Sequence, residues 1–319
     1  MIREKAVQRI EQVAVKKLTE LDLSRLDLKE LPREIFSCRH LKHLSLRENQ
    51  ITQIPDAIGQ LSSLTKLDLC RNKITEIPEV LGQLSNLTSL DLWNNKITGI
   101  PDAFGQLSNL RELSLSCNQI TSLPQTFGQL SNLREINLWG NQITSLPETF
   151  GQLSNLTSLR LEENHISFLP ETFGLLSNLA TLFLHYNQIT SIPNTFGLLS
   201  NLTNLSLGHN QITSIPNTFG LLSSLTNLSL SHNQITSIPE ALGQLSNLRW
   251  LYLRDNQIAE IPEAIRDMEK LEILDLRGNP IPIPPEILQG EESYEPGDLF
   301  TILDFYFQTR DSNDTEELS

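Results

Sequence analysis

Apolar and polar positions along the chain follow a pattern that resets every 23 residues. In the stretch Leu64, Leu67, Leu69, Asn72 the last two leucines stand two apart, which places both on one side of an extended segment. The same frame returns at Leu110, Leu113, Leu115, Asn118 and at Leu248, Leu251, Leu253, Asn256. Only Ile136 departs from leucine, and that change conserves volume. Beyond the asparagine come an apolar residue, an aliphatic before proline, a hydrophobe before glycine, and a leucine: Ile51, Ile54, Pro55, Ile58, Gly59, Leu61. Each period therefore predicts one short strand and an irregular return. A fixed period of this length specifies a solenoid, whose turns bury their apolar side against their neighbours.

The asparagine recurs without a slip at Asn49, Asn72, Asn95, Asn118, Asn141, Asn164, Asn187, Asn210, Asn233, Asn256 and Asn279. Its amide both donates and accepts, so at the point where the chain leaves the strand it satisfies unpaired backbone of adjoining turns. The column reads as a structural ladder. Proline recurs from Pro32, Pro55 and Pro78 through Pro262 and Pro285, where a fixed φ and the lack of a ladder donor suit the return. A further column holds Phe104, Phe127, Phe150, Phe173, Phe196 and Phe219, continued by Ile35, Ile58, Leu81, Leu242, Ile265 and Leu288. Burial of each ring is worth roughly 1.5–3 kcal/mol, which accounts for the column as a packing spine without any cofactor.

The pattern LxxLxLxxNxIxxIPxxFGxLxxL resembles the leucine-rich repeat family in its 23-residue intracellular form, in twelve copies over residues 18–288. The resemblance implies an α/β solenoid: a curved horseshoe with short parallel strands on the concave face, an irregular or 3₁₀ convex side, and helical caps at both ends. It also implies a module without enzymatic activity or cofactor.

The ends depart from the repeat. Ala6, Val7, Ile10, Val13 and Ala14 have helical spacing, which predicts an amphipathic cap over residues 1–17. The first turn carries Leu26 where asparagine belongs, as a terminal turn can. After repeats ending at 288, residues 289–308 read as a linker and a capping helix over 298–308 (DLFTILDFYFQ), and 309–319 as a disordered acidic tail. LTELDLS, PIPPEIL and ILDFYFQ resemble the borders of the repeat region in bacterial Roco proteins, which implies a GTPase domain as partner in cis or in trans. No GxxxxGK[ST] loop occurs in the chain, so GTPase activity is not carried over.

Net charge is −14, with +3 in residues 1–17 and −9 in 286–319. With no basic stripe to follow phosphates, nucleic acid and anionic membrane are not expected partners. The start has no apolar signal segment, and no run approaches the ~18 apolar residues of a membrane span. Cys38, Cys70 and Cys117 are odd in number and lie in different turns, without the cysteine-clasped ends that the family implies for secreted members. A cytoplasmic setting follows.

Function is then sought where the turns differ. The third, fifth, seventh and eighth positions of the frame point away from the core. They hold Trp93, Trp139, Phe183, His185, Tyr186, Trp250 and Tyr252, with Arg160 and Arg254 among the flanking charges. Folding does not require large aromatics there, so these residues are expected to form a concave-face site for a protein or peptide. His209, His232 and Asp255 share the eighth position on consecutive turns, which makes a metal site conceivable, although repeat duplication gives the same spacing. Cys70 and Cys117 are expected to point outward, with no histidine to activate them. Self-assembly through an imperfectly capped end is the remaining alternative.

Overall fold

The computed structural model describes residues 2–290, 292 and 295–316. The chain divides into two units, residues 1–166 and 167–319. The first begins with α1 (Ile2–Lys16), followed by seven three-residue strands: β1 (Glu20–Asp22), β2 (His43–Ser45), β3 (Lys66–Asp68), β4 (Ser89–Asp91), β5 (Glu112–Ser114), β6 (Glu135–Asn137) and β7 (Ser158–Arg160). The second holds β8 (Thr181–Phe183), β9 (Asn204–Ser206), β10 (Asn227–Ser229), β11 (Trp250–Tyr252) and β12 (Ile273–Asp275), then α2 (Pro285–Leu288) and α3 (Leu299–Glu316). Within each unit neighbouring strands are parallel and pair one repeat apart, as in Leu44 with Leu67 and Leu228 with Leu251. Each unit is thus a stretch of leucine-rich repeat solenoid.

The strands are short because only their central residue points into the core. In β11, Leu251 is buried while Trp250 and Tyr252 on either side are half-buried. Each return opens on proline: the Pro55 carbonyl accepts from the Ile58 amide at 2.9 Å and starts the 3₁₀ segment Asp56–Gln60. The phenylalanine spine lies directly beneath these segments. Phe104, Phe127 and Phe150 stack at 6.3 and 6.1 Å in the first unit, and Phe173, Phe196 and Phe219 at 5.3 and 6.4 Å in the second. Beside the rings the turns approach so closely that a Cβ on Gly128 would stand 2.2 Å from the Thr149 carbonyl oxygen. That contact forces glycine at this position.

Asparagines tie turn to turn. Asn72 donates to the carbonyls of Leu46 in the preceding turn and Leu69 in its own, both at 3.0 Å, and accepts from the Ile51 amide at 3.1 Å. In the atypical first turn the Leu26 and Leu28 amides both donate to Asn49 Oδ1 at 3.0 Å. Leu26 itself is buried in place of an asparagine.

Both ends are closed by helices. On α1, Ala6, Ile10 and Val13 are buried, whereas Ala14 is exposed. On α3, Ile302, Tyr306 and Phe307 are buried, and the Arg266 and Arg310 guanidinium groups each lie 5.2 Å from the Phe307 ring centre. This helix runs to Glu316, beyond the segment read from residues 298–308. Of the expected acidic tail, residues 317–319 lie outside the described residues, as do 291, 293 and 294 of the linker. Among the described residues no helix is long and apolar enough to cross a membrane.

Candidate partner-binding faces

In the first unit the strand face carries Trp93, Trp139 and Arg160. Trp93 is half-buried, its amide donates to Asp91 Oδ1 at 2.9 Å, and the Arg71 guanidinium lies 4.7 Å from its ring centre. Trp139 is placed the same way, its amide donating to Asn137 Oδ1 at 3.1 Å. Arg160 is exposed, yet its Nε and Nη2 reach Glu162 Oε1 at 2.9 and 2.7 Å, and Glu162 is only 1% exposed. Arg160 is therefore bound up in holding a buried carboxylate. Arg160→Ala is expected to destabilise the first unit by roughly 1–3 kcal/mol, because Glu162 loses the cation that compensates its burial. A urea titration checks this; an unchanged midpoint contradicts it.

The expectation for Cys70 is corrected here. It was expected to point outward and is buried, as are Glu162 and Asp275, which the frame rule also places on the outward side at its seventh and fifth positions. Cys70 is too short to rise above the flanking side chains, and its ligand atom lies within 4.8 Å of those of Asp68 and Asp91. Glu162 and Asp275 are folded back onto Arg160 and Arg277. Among the described residues, Asp68, Cys70 and Asp91 bring three possible ligand atoms together. Burial, reinforced by Asp68, pushes the Cys70 thiol up to about 12, a cost that a cation would have to offset to take it as a thiolate ligand. Burial also raises Asp91 above the ordinary carboxylate value. Glu48 is the opposite case, held down at about 2 by hydrogen bonds from Arg25 and Arg47, with Arg71 adding charge.

The second unit gathers its candidates more tightly. His185 stands edge-on to Phe183 at 6.4 Å and to Tyr186 at 5.6 Å. Tyr186 stacks on His209 at 4.2 Å, and His209 on His232 at 4.0 Å. His232 Nδ1 meets Asp255 Oδ2 at 3.2 Å, and Arg254 Nε donates to the same oxygen at 3.0 Å. Phe183, His185, Tyr186 and Arg254 are thus joined in one file through His209 and His232. The signal for those two was their shared position on consecutive turns, which also fits a metal site. Near-parallel rings, 15° apart, do not converge on one point as ligands would. Trp250 and Tyr252 form a second group on β11. Trp250 Nε1 donates to Glu272 Oε2 at 3.2 Å, and Arg249 lies 5.9 Å from the Trp250 ring centre.

The eighth position has its own backbone geometry. Glu48, Arg71, Asn94, Cys117, Glu163, Tyr186, His209, His232 and Asp255 all take φ between 52° and 58°, in the left-handed region. Gly140 and Gly278 take the same place at 67° and 71°.

His209 titrates below its ordinary value of 6.5, first through burial and then through the like charge of His232 and His185, with Asp255 opposing. As pH falls through 6.5 the unfolded chain takes up the proton more readily than the folded one, so this group withdraws stability on acidification. His209→Asn is expected to make the fall in Tm between about pH 7.5 and 5.5 shallower than in the wild type. Parallel melting curves with equal slopes contradict the assignment.

Parallel strands stacked at a constant pitch, with side chains that vary on one face of a repeated frame, define a repeat-solenoid scaffold. The chain belongs to the leucine-rich repeat family. The model described as Leucine rich repeat matches nine overlapping segments between residues 16 and 281, the first 16–74 and the last 223–281. A comparison with curated protein sequences gave no match. Among solved structures, a plant peptide hormone receptor in complex with RGF2 is 32% identical at TM-score 0.76, over 83% of this chain and 45% of that one. A leucine-rich repeat protein of Leptospira interrogans is 32% identical at TM-score 0.58, over 85% and 86% of the two chains. TLR13 in complex with ssRNA13 is 29% identical at TM-score 0.67, over 85% and 46%. The chain spans less than half the length of the hormone-receptor chain and of the TLR13 chain.

Proposed function

We propose that the chain is a non-enzymatic interaction module whose strand face, the concave one in this family, docks a protein or peptide. The carrying observation is the aromatic content of that face: Trp93 and Trp139 in the first unit, Phe183, Tyr186, Trp250 and Tyr252 in the second, all at least partly accessible and none required by the repeat. Half-buried aromatics with one polar anchor are the groups that dominate protein interfaces. Solved relatives include a peptide hormone receptor captured with RGF2, which supports a polypeptide ligand. The TLR13 complex contains RNA, so nucleic acid stays in the test as a competing outcome. The reading includes a cytoplasmic setting, supported by three free cysteines; its bacterial part rests on the resemblance of the terminal segments alone.

The immobilised chain is exposed to native cell extract beside the Trp93→Ala/Trp139→Ala/Trp250→Ala variant. The triple variant is expected to keep its fold and to weaken capture at least about tenfold. A polypeptide held by the wild type alone supports the reading, and a retained GTPase favours the regulatory-arm reading that the terminal segments raised. Equal capture by wild type and variant, or capture of RNA alone, rejects it.

A further inference from the structure

We propose that the flank of the second unit carrying Leu175, Leu198 and Leu221 is a self-association surface, occupied by the same flank of a second copy of this chain. The three leucines end the 3₁₀ segments Glu171–Leu175, Asn194–Leu198 and Asn217–Leu221. They are 57%, 56% and 57% exposed. In every other complete turn this position is polar: glutamine from Gln60 to Gln152 and again at Gln244, with Ser37 and Asp267 in the end turns. Folding therefore does not ask for leucine. The phenylalanines two residues earlier stack at 5.3 and 6.4 Å, so the three leucines follow one another from turn to turn along this flank.

Charge selects the occupant. No Asp, Glu, Lys or Arg occurs from Thr172 through Pro239, although the chain carries 62 such residues. At a net charge of −14, two copies repel, least where neither presents a carboxylate. Contact there removes apolar surface from water, with carboxylates only at the borders of the run, Glu171 and Glu240. An apolar, uncharged ridge needs a counterpart of the same kind, and this chain supplies one. A ridge of three is also self-complementary about a two-fold axis. Leu198 then faces its own symmetry mate, and Leu175 faces Leu221 of the second copy. This surface lies apart from the strand face, so the proposal stands or falls independently of partner binding there.

The test is sedimentation of the full chain from about 1 to about 200 µM, beside a Leu175→Gln/Leu198→Gln/Leu221→Gln variant. That variant carries the glutamine of the other turns, so its circular dichroism and melting should match the wild type. The wild type is expected to pass from monomer to dimer, with association strengthened by added salt because salt screens the like net charge. The variant is expected to weaken dimerisation at least about tenfold. In a Cys117→Ser background, Leu198→Cys should cross-link to itself on oxidation, whereas Leu175→Cys should cross-link only when mixed with Leu221→Cys. A wild type that stays monomeric throughout, association that survives the triple substitution, or association weakened by salt overturns the proposal. Self-cross-linking of Leu175→Cys equal to that of Leu198→Cys overturns the two-fold arrangement.

Discussion

Phe127→Ala is expected to cost the first unit about 3–5 kcal/mol, the largest single effect among the substitutions considered. The ring is fully buried and stacked between Phe104 and Phe150 at 6.3 and 6.1 Å, so truncation leaves a cavity flanked on both sides by rings already packed on their outer neighbours. Rigid neighbours cannot collapse to fill it. Phe127→Leu should cost less than about 1.5 kcal/mol, because Leu81 and Leu242 occupy the same place in other turns. Urea unfolding of both variants checks the pair. Equal losses would mean that ring stacking, rather than occupied volume, holds the spine together.

Asn118→Leu, which keeps the number and branching of side-chain heavy atoms, is expected to cost about 2–4 kcal/mol. Asn118 is buried, donates to the carbonyls of Leu92 at 3.0 Å and Leu115 at 2.9 Å, and accepts from the Ile97 amide at 3.0 Å. The two carbonyls keep a second asparagine each, Asn95 for Leu92 and Asn141 for Leu115. The Ile97 amide keeps no comparable partner, and a buried donor without an acceptor supplies most of the loss. Hydrogen exchange should accelerate at Ile97 more than at amides several turns away, since repeats couple chiefly to their neighbours. A change under about 1 kcal/mol would remove the ladder from the account of stability.

Much of this was open to reading in the sequence, because a repeat states its own register. Once Leu67 is placed inward, the inward residues Leu44, Leu90 and Leu113 follow by addition, and so does the strand order within each unit. The frame carries no information about side chains longer or shorter than average. Cys70 sinks and Glu162 folds back for reasons of size and of pairing with Arg160 that a single-position rule does not contain. The end of α3 was hard for a related reason: residues 309–316 are polar, and the helix continues where hydrophobic periodicity has stopped. His209 and His232 were noticed as a conceivable metal pair and set against simple repeat duplication, but their stacking was not foreseen, because equal spacing cannot distinguish rings that stack from rings that converge. The uncharged run from Thr172 to Pro239 was visible throughout. It escapes a search for motifs because it consists of missing charges rather than of residues present.

The left-handed eighth position has a consequence for how such a surface changes over time. A non-glycine residue there gives up about 1 kcal/mol in backbone conformation, less for asparagine, aspartate and histidine. Selection for folding alone would drift towards the solutions at Asn94, Gly140 and Gly278. Arg71, Glu163 and Tyr186 resist that drift, at φ of 53°, 52° and 58°. The column thus works as a ledger of selection kept turn by turn: the further a side chain lies from the conformationally cheapest choice, the stronger the sign that something outside the chain maintains it.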